Sequence, residues 1–145
     1  MKEASRGKIF GVDYGDVRTG LAVSDPLGFL ASGIGTIKPG GMRNTAVAVA
    51  EEAKKQSAVL IVIGLPKNMD GSEGFRAEAV RAFANLLSEY TDIPYVFYDE
   101  RLSTMEAHKF LNLTDTKGKK RKEVVDTLSA QIILQNYVDA NITNS

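Results

Sequence analysis

Four acidic residues stand where chemistry could use them. Asp13 lies in GVDYGDVRTGLAVSD, residues 11–25, between an apolar run and a glycine-rich turn; Asp99 and Glu100 close the run PYVFYDE; Asp126 lies in KEVVDTLSA. Clustered carboxylates repel one another and stay ionised together only beside a cation, and oxygen ligands suit Mg²⁺ or Mn²⁺. Two such ions about 4 Å apart activate water and stabilise the leaving oxygen of a phosphodiester during in-line displacement. Each acid also has a plainer use. Asp13 suits an Asx turn before Gly15. Asp99 and Glu100 project to opposite faces of a strand, so at most one faces a common site, and sidedness alone does not choose between them. Asp126 could pair with Lys122 one turn earlier, although base before acid is the weaker order. Its stripe continues through Ser129, Ala130, Ile133 and Tyr137, which predicts a side chain directed toward a cleft.

The elements that must carry these acids follow from periodicity. KIFGVDY (8–14), GLAVSD (20–25) and SGIGTIK (32–38) are predicted as short strands joined by Gly, Pro and Asp turns, which favour an antiparallel meander. NTAVAVAEEAKKQ, 44–56, is alanine-rich and predicts a helix capped by Asn44 or Thr45. VLIVIGLP, from Val59, is apolar on both faces, as in a central strand covered on two sides. FRAEAVRAFANLLSEY, 75–90, sets Phe75, Ala79, Phe83, Leu86, Leu87 and Tyr90 on one helical stripe. PYVFYDE is a second buried strand, STMEAHKFL opens with Ser103 and Glu106 in capping-box spacing, and a last helix is predicted from Glu123 to Ala140. The order implies an α/β fold: a mixed five-stranded sheet, three antiparallel strands then two parallel, flanked by helices. Asp13, Glu100 or Asp99, and Asp126 then come to one edge of that sheet.

Composition narrows the classes. The 145 residues, 43% hydrophobic and 25% charged, suit a single domain spanning 1–145. There is no cysteine, which excludes disulfides and thiolate zinc sites. No run approaches a membrane span, so a soluble, cytoplasmic protein is expected. Eighteen basic and eighteen acidic residues balance, so an anionic partner must be met by a local patch.

Two such patches stand out. In GLPKNMDGSEG a strand end leads through glycines into a helix, with Lys67 and Arg76 adding charge, although the G-x-x-x-x-G-K-[ST] signature of a nucleotide loop is absent. Lys117, Lys119, Lys120, Arg121 and Lys122 form a basic run expected directly before the helix of Asp126, suited to phosphate contacts that read no sequence. Arg18 and Arg101 are secondary candidates for the same task. His108, the sole histidine, is read as a surface or packing residue. Phe75, Phe83 and Phe110 are read as core, because stacking on bases needs exposure.

The segments GVDYGDVRTGLAVSD, VIGLPKNMDGSEG, YDERLSTMEA and KKRKEVVDTLSAQIIL, in this order, resemble the YqgF/RuvX family of pre-16S rRNA nucleases, also described as Holliday junction resolvases. The resemblance runs from about Gly7 to Tyr137. It implies an RNase H-like fold with an acidic, divalent-metal centre that hydrolyses nucleic-acid phosphodiesters. Carried over residue by residue, it makes Asp13 the strand-one acid, Glu100 the acid of the DER motif and Asp126 the helix acid. The expected function is processing of the 5′ end of pre-16S rRNA in ribosome biogenesis, by a monomer or homodimer that binds structured RNA. The alternatives are a resolvase of branched DNA and a catalytically silent nucleic-acid-binding module. A sugar kinase or actin-like ATPase also begins with an Asp and a glycine turn, but needs two lobes around its nucleotide.

Overall fold

The computed structural model describes residues 7–100 and 118–143, with burial assigned in the second stretch for 124–140. Its elements run β1 (Lys8–Asp13), β2 (Thr19–Ser24), β3 (Ala31–Ile37), α1 (Met42–Lys55), β4 (Ala58–Leu65), α2 (Phe75–Leu87), β5 (Tyr95–Asp99) and α3 (Gly118–Thr143). The strands form a five-stranded sheet in the order β3-β2-β1-β4-β5. β1, β2 and β3 pair antiparallel through short turns, while β4 and β5 run parallel to β1. This is the expected mixed sheet, with strand ends within about one residue of the predicted ones.

The sheet separates two cores. On one face Phe10, Val12, Tyr14, Leu21, Ile61 and Ile63 pack with Val49 of α1 and with Phe83 and Leu87 of α2. On the other, Ala22, Ala31 and Val62 pack under Ala130, Ile133, Leu134 and Val138 of α3. β4 is an interior strand between β1 and β5, covered on both faces, so Ile61, Val62, Ile63, Gly64 and Leu65 are all buried, which explains its unbroken apolar run.

Three expectations are corrected. Helix α1 starts at Met42 behind Gly41, without a side-chain cap; Asn44 and Thr45 instead donate back to the carbonyls of Gly40 and Gly41. The buried stripe of α2 is Ala77, Val80, Phe83, Ala84 and Leu87. Phe75 precedes Ala77 by about 200° of helical turn, on the opposite side, and is 81% exposed. Helix α3 is described from Gly118, so Lys119, Lys120, Arg121 and Lys122 lie within its first turns and not in a loop ahead of it; Lys and Arg are good helix formers. The helix expected at 103–111, with His108 and Phe110, lies outside the described residues, as do Arg101 and Lys117.

Candidate acidic active centre

Because β4 and β5 run parallel to β1, their carboxyl ends meet at one sheet edge. Val12 pairs with Ile63 and Leu65 with Asp99, so Asp13 follows beside Gly64, and Glu100 comes directly after the end of β5. Helix α3 brings the remaining acid from the sheet face. Gly20, paired with Asp13, is its seat: a Cβ there would collide with the carbonyl oxygen of Asp126. Gly64 leaves space of the same kind, since a Cβ would lie 2.6 Å from Ile133 Cδ1 and 3.1 Å from the carboxyl carbon of Glu100. Two glycines without side chains therefore let a helix and a carboxylate approach the strand that carries Asp13.

The result is an open cleft of about 280 Å³ lined by Asp13, Glu100, Asp126, Arg18, Lys67 and Arg76, with Tyr14, Gly15, Pro66 and Val125 completing its walls. All three acids assigned through the family motifs face it. Glu100 does so from a buried position, 8% exposed, and Asp99 does not line it. Strand alternation had left that choice open.

Electrostatics mark Asp13 and Glu100 as a strained pair. Burial pushes the Asp13 carboxyl well above the ordinary range, repulsion from Glu100 and Asp126 adds to it, and the Arg76 charge opposes it. Burial likewise pushes Glu100 up to about 7, against the pull of Arg76 and a hydrogen bond from Asp13. A hydrogen bond between the two side chains couples them further, the protonated carboxyl of the pair being its donor. Asp126 is compensated differently: Arg18 Nε donates to its Oδ2 at 2.8 Å. Among the described residues no three acidic or histidine side chains are already drawn into a metal cage. The donor set still fits a hard divalent cation, because two carboxyls under mutual repulsion gain from any ion that replaces their proton.

Lys67 and Arg76 line the cleft as expected, and Arg18, a secondary candidate in the sequence, lies directly on Asp126. Tyr14, also on the cleft wall and not among the expected residues, stacks on Phe83 at 4.5 Å between ring centroids. The signal was present: Phe10, Val12 and Tyr14 alternate along β1 and the residue after it, and all three belong to one core.

The sheet order, with α1 and α2 on one face and α3 on the other, is that of the RNase H-like fold. The structure of Thermus thermophilus RuvC in complex with Holliday junction substrate matches it with a TM-score of 0.56 at 14% identity, over 94% of this chain and 96% of that one. The Fowlpox virus resolvase bound to Holliday junction DNA gives 0.54 at 13% identity, over 93% and 99%. In sequence, the model of the family described as RuvX, Holliday junction resolvase, matches residues 7–140. A Heliobacterium modesticaldum protein named "Putative pre-16S rRNA nuclease" is 44% identical over 133 residues, 92% of this chain and 89% of its own. A protein of the same name from Leuconostoc citreum is 42% identical over 137 residues, 92% and 96%. The chain belongs to the RuvX family. Among the described residues no helix is long and apolar enough to cross a membrane.

Proposed function

We propose that this protein is a metal-dependent nuclease that hydrolyses nucleic-acid phosphodiesters and processes the 5′ end of pre-16S rRNA in the cytoplasm, using one catalytic domain. The observation that carries this reading is the convergence of Asp13, Glu100 and Asp126, from β1, the end of β5 and α3, on one cleft that also holds Arg18, Lys67 and Arg76. Asp13, Glu100 and Asp126 are the ligands for Mg²⁺ or Mn²⁺. A cation held there would supply charge neutralisation and activation of water for attack on phosphorus.

The chain's own residues do the rest. Arg76, whose charge already acts on both Asp13 and Glu100, is placed to bind the phosphate as it accumulates negative charge. Lys67 supports it from the β4–α2 loop. The basic residues Lys119, Lys120, Arg121 and Lys122 at the start of α3, together with Lys117 and Arg101, hold the flanking backbone without reading bases. The pre-16S assignment follows the names of the relatives. The alternative is a resolvase of branched DNA, supported by the family's description and acting as a homodimer on two strands. A silent binding module on the same fold would bind without turnover.

Cleavage of labelled precursor ribosomal RNA and of a four-way DNA junction, with Mg²⁺ or Mn²⁺ and with the metal chelated, distinguishes these readings. Wild-type cleavage of the RNA that needs both metal and the Asp13 carboxylate, and so is lost in Asp13→Asn, is the expected result. Cutting of the junction alone would select the resolvase. Intact binding with no cleavage of either substrate would leave a binding module.

A further inference from the structure

The Phe75 ring stands in solvent, 81% exposed, at the first residue of α2. Among the described residues it is more exposed than Val17, Leu27, Leu30 or Met69, the other large apolar side chains most open to water. Such a ring adds nothing to the core, and its position on the helix explains why periodicity misassigned it. Beside it lies a smaller pocket of about 70 Å³, lined by Phe75, Asp16, Ala79 and Val80 and sharing Tyr14, Gly15, Pro66 and Arg76 with the acidic cleft. An exposed aromatic face therefore adjoins the cleft across a residue, Arg76, whose guanidinium acts on the acids.

We infer that Phe75 is a stacking platform for an unpaired nucleobase, and that the pocket beside it is a subsite for the nucleotide next to the scissile phosphate. This rests on the nuclease reading above and deepens it by naming the substrate class: a strand that is single or splayed at the point of cleavage. Continuity with the acidic cleft and the charge of Arg76 support it. A strand whose phosphate lies at Arg76 and Lys67 carries its neighbouring base within reach of the residue next to Arg76. A phenyl face accepts any base, because every base has a π-face, whereas bases inside a duplex are already stacked and cannot reach it. Arg76, which lines both pockets, suits a polyanion and opposes the burial of this patch under an apolar protein surface, and Asp16 is the one acid on the smaller pocket.

The chain contains no tryptophan, so Phe75→Trp installs a single fluorescent reporter at the proposed platform. The test titrates wild type, Phe75→Ala and Phe75→Trp, with and without Mg²⁺, with a single-stranded RNA, a blunt duplex of equal charge and inorganic polyphosphate. The expected result is quenching of the new tryptophan by the single strand and not by polyphosphate. Phe75→Ala should lose about 5- to 100-fold in single-strand affinity, keep its duplex affinity, and keep the salt dependence of binding, since no phosphate contact is removed. Unchanged single-strand affinity in Phe75→Ala, or an unquenched tryptophan while wild type still binds and cleaves, overturns the platform and leaves the nuclease reading intact. A shallower salt dependence in Phe75→Ala also overturns it, because the effect would then pass through Arg76. If wild type binds no nucleic acid under either condition, both readings fall together.

Discussion

Arg18 and Asp126 are 108 residues apart in sequence, yet Arg18 Nε meets Asp126 Oδ2 at 2.8 Å on the wall of the acidic cleft. The contact ties the turn after β1 to the helix that crosses the sheet, and it gives Asp126 a cation of the protein's own. Among the described residues Asp13 and Glu100 show no such ion pair, and burial and mutual repulsion raise both carboxyls against the charge of Arg76. The three acids are thus compensated in two different ways.

If Asp126 is a metal ligand, Arg18 and the metal compete for it. Arg18→Met should bind Mg²⁺ more tightly than wild type at pH 8 in a calorimeter. The pair is about one-quarter exposed, so its worth is about 1 kcal/mol, or about fivefold in affinity. Metal-free Arg18→Met should be less stable by a similar amount. Equal or weaker Mg²⁺ affinity in the variant would show that guanidinium and metal do not exchange on Asp126.

The raised carboxyls make a pH prediction with a definite sign. A carboxyl whose folded pKa lies above its unfolded value favours the fold while it is protonated in both states, and that contribution is lost as pH rises through the folded value. For Glu100 the window runs from the ordinary 4.5 to about 7, and Asp13 acts in the same direction. Asp25 and Glu73 are shifted downward, so their effects fall at more acidic pH and do not mask this window. Metal-free protein should therefore lose roughly 1–3 kcal/mol of stability between pH 5 and 8 on account of this pair. Glu100→Gln should recover much of that loss at pH 8 while weakening Mg²⁺ binding. Thermal unfolding in chelator at both pH values checks it; a melting temperature that is flat with pH and unaffected by the substitution would remove the strain assigned to the pair.

Gly20 should tolerate no side chain. Alanine there pushes against the carbonyl oxygen of Asp126, a backbone atom that cannot turn aside. Gly20→Ala is expected to lower stability by roughly 1–3 kcal/mol and to reduce Mg²⁺ affinity, because α3 shifts away from Asp13. Unfolding and metal titration of the variant matching wild type would mean that α3 is not held at this distance by Gly20.

Much of this architecture was legible in the chain alone. The alternation in KIFGVDY, the doubly apolar run from Val59 and the placement of acids at element ends depend on local periodicity, and local periodicity is visible in sequence. The helices were less well placed at their ends and faces. Phe75 was set in the core because its spacing from Phe83 is roughly helical, and only the packing of α2 on the sheet shows that the buried face is the one through Ala77, Val80 and Leu87. Asn44 and Thr45 have the chemistry of caps, but the chain enters α1 earlier, through Gly41.

The sequence by itself determined which elements form, in which order, and which acids stand at their ends, because strand and helix periods and turn chemistry act over a few residues. Tertiary structure decided which of these residues meet. It turned Glu100 rather than Asp99 to the cleft, set Arg18 on Asp126, and left Phe75 open beside Arg76. Those outcomes depend on strand register and on how closely α3 seats over Gly20 and Gly64, and both are fixed by contacts between residues far apart in the chain.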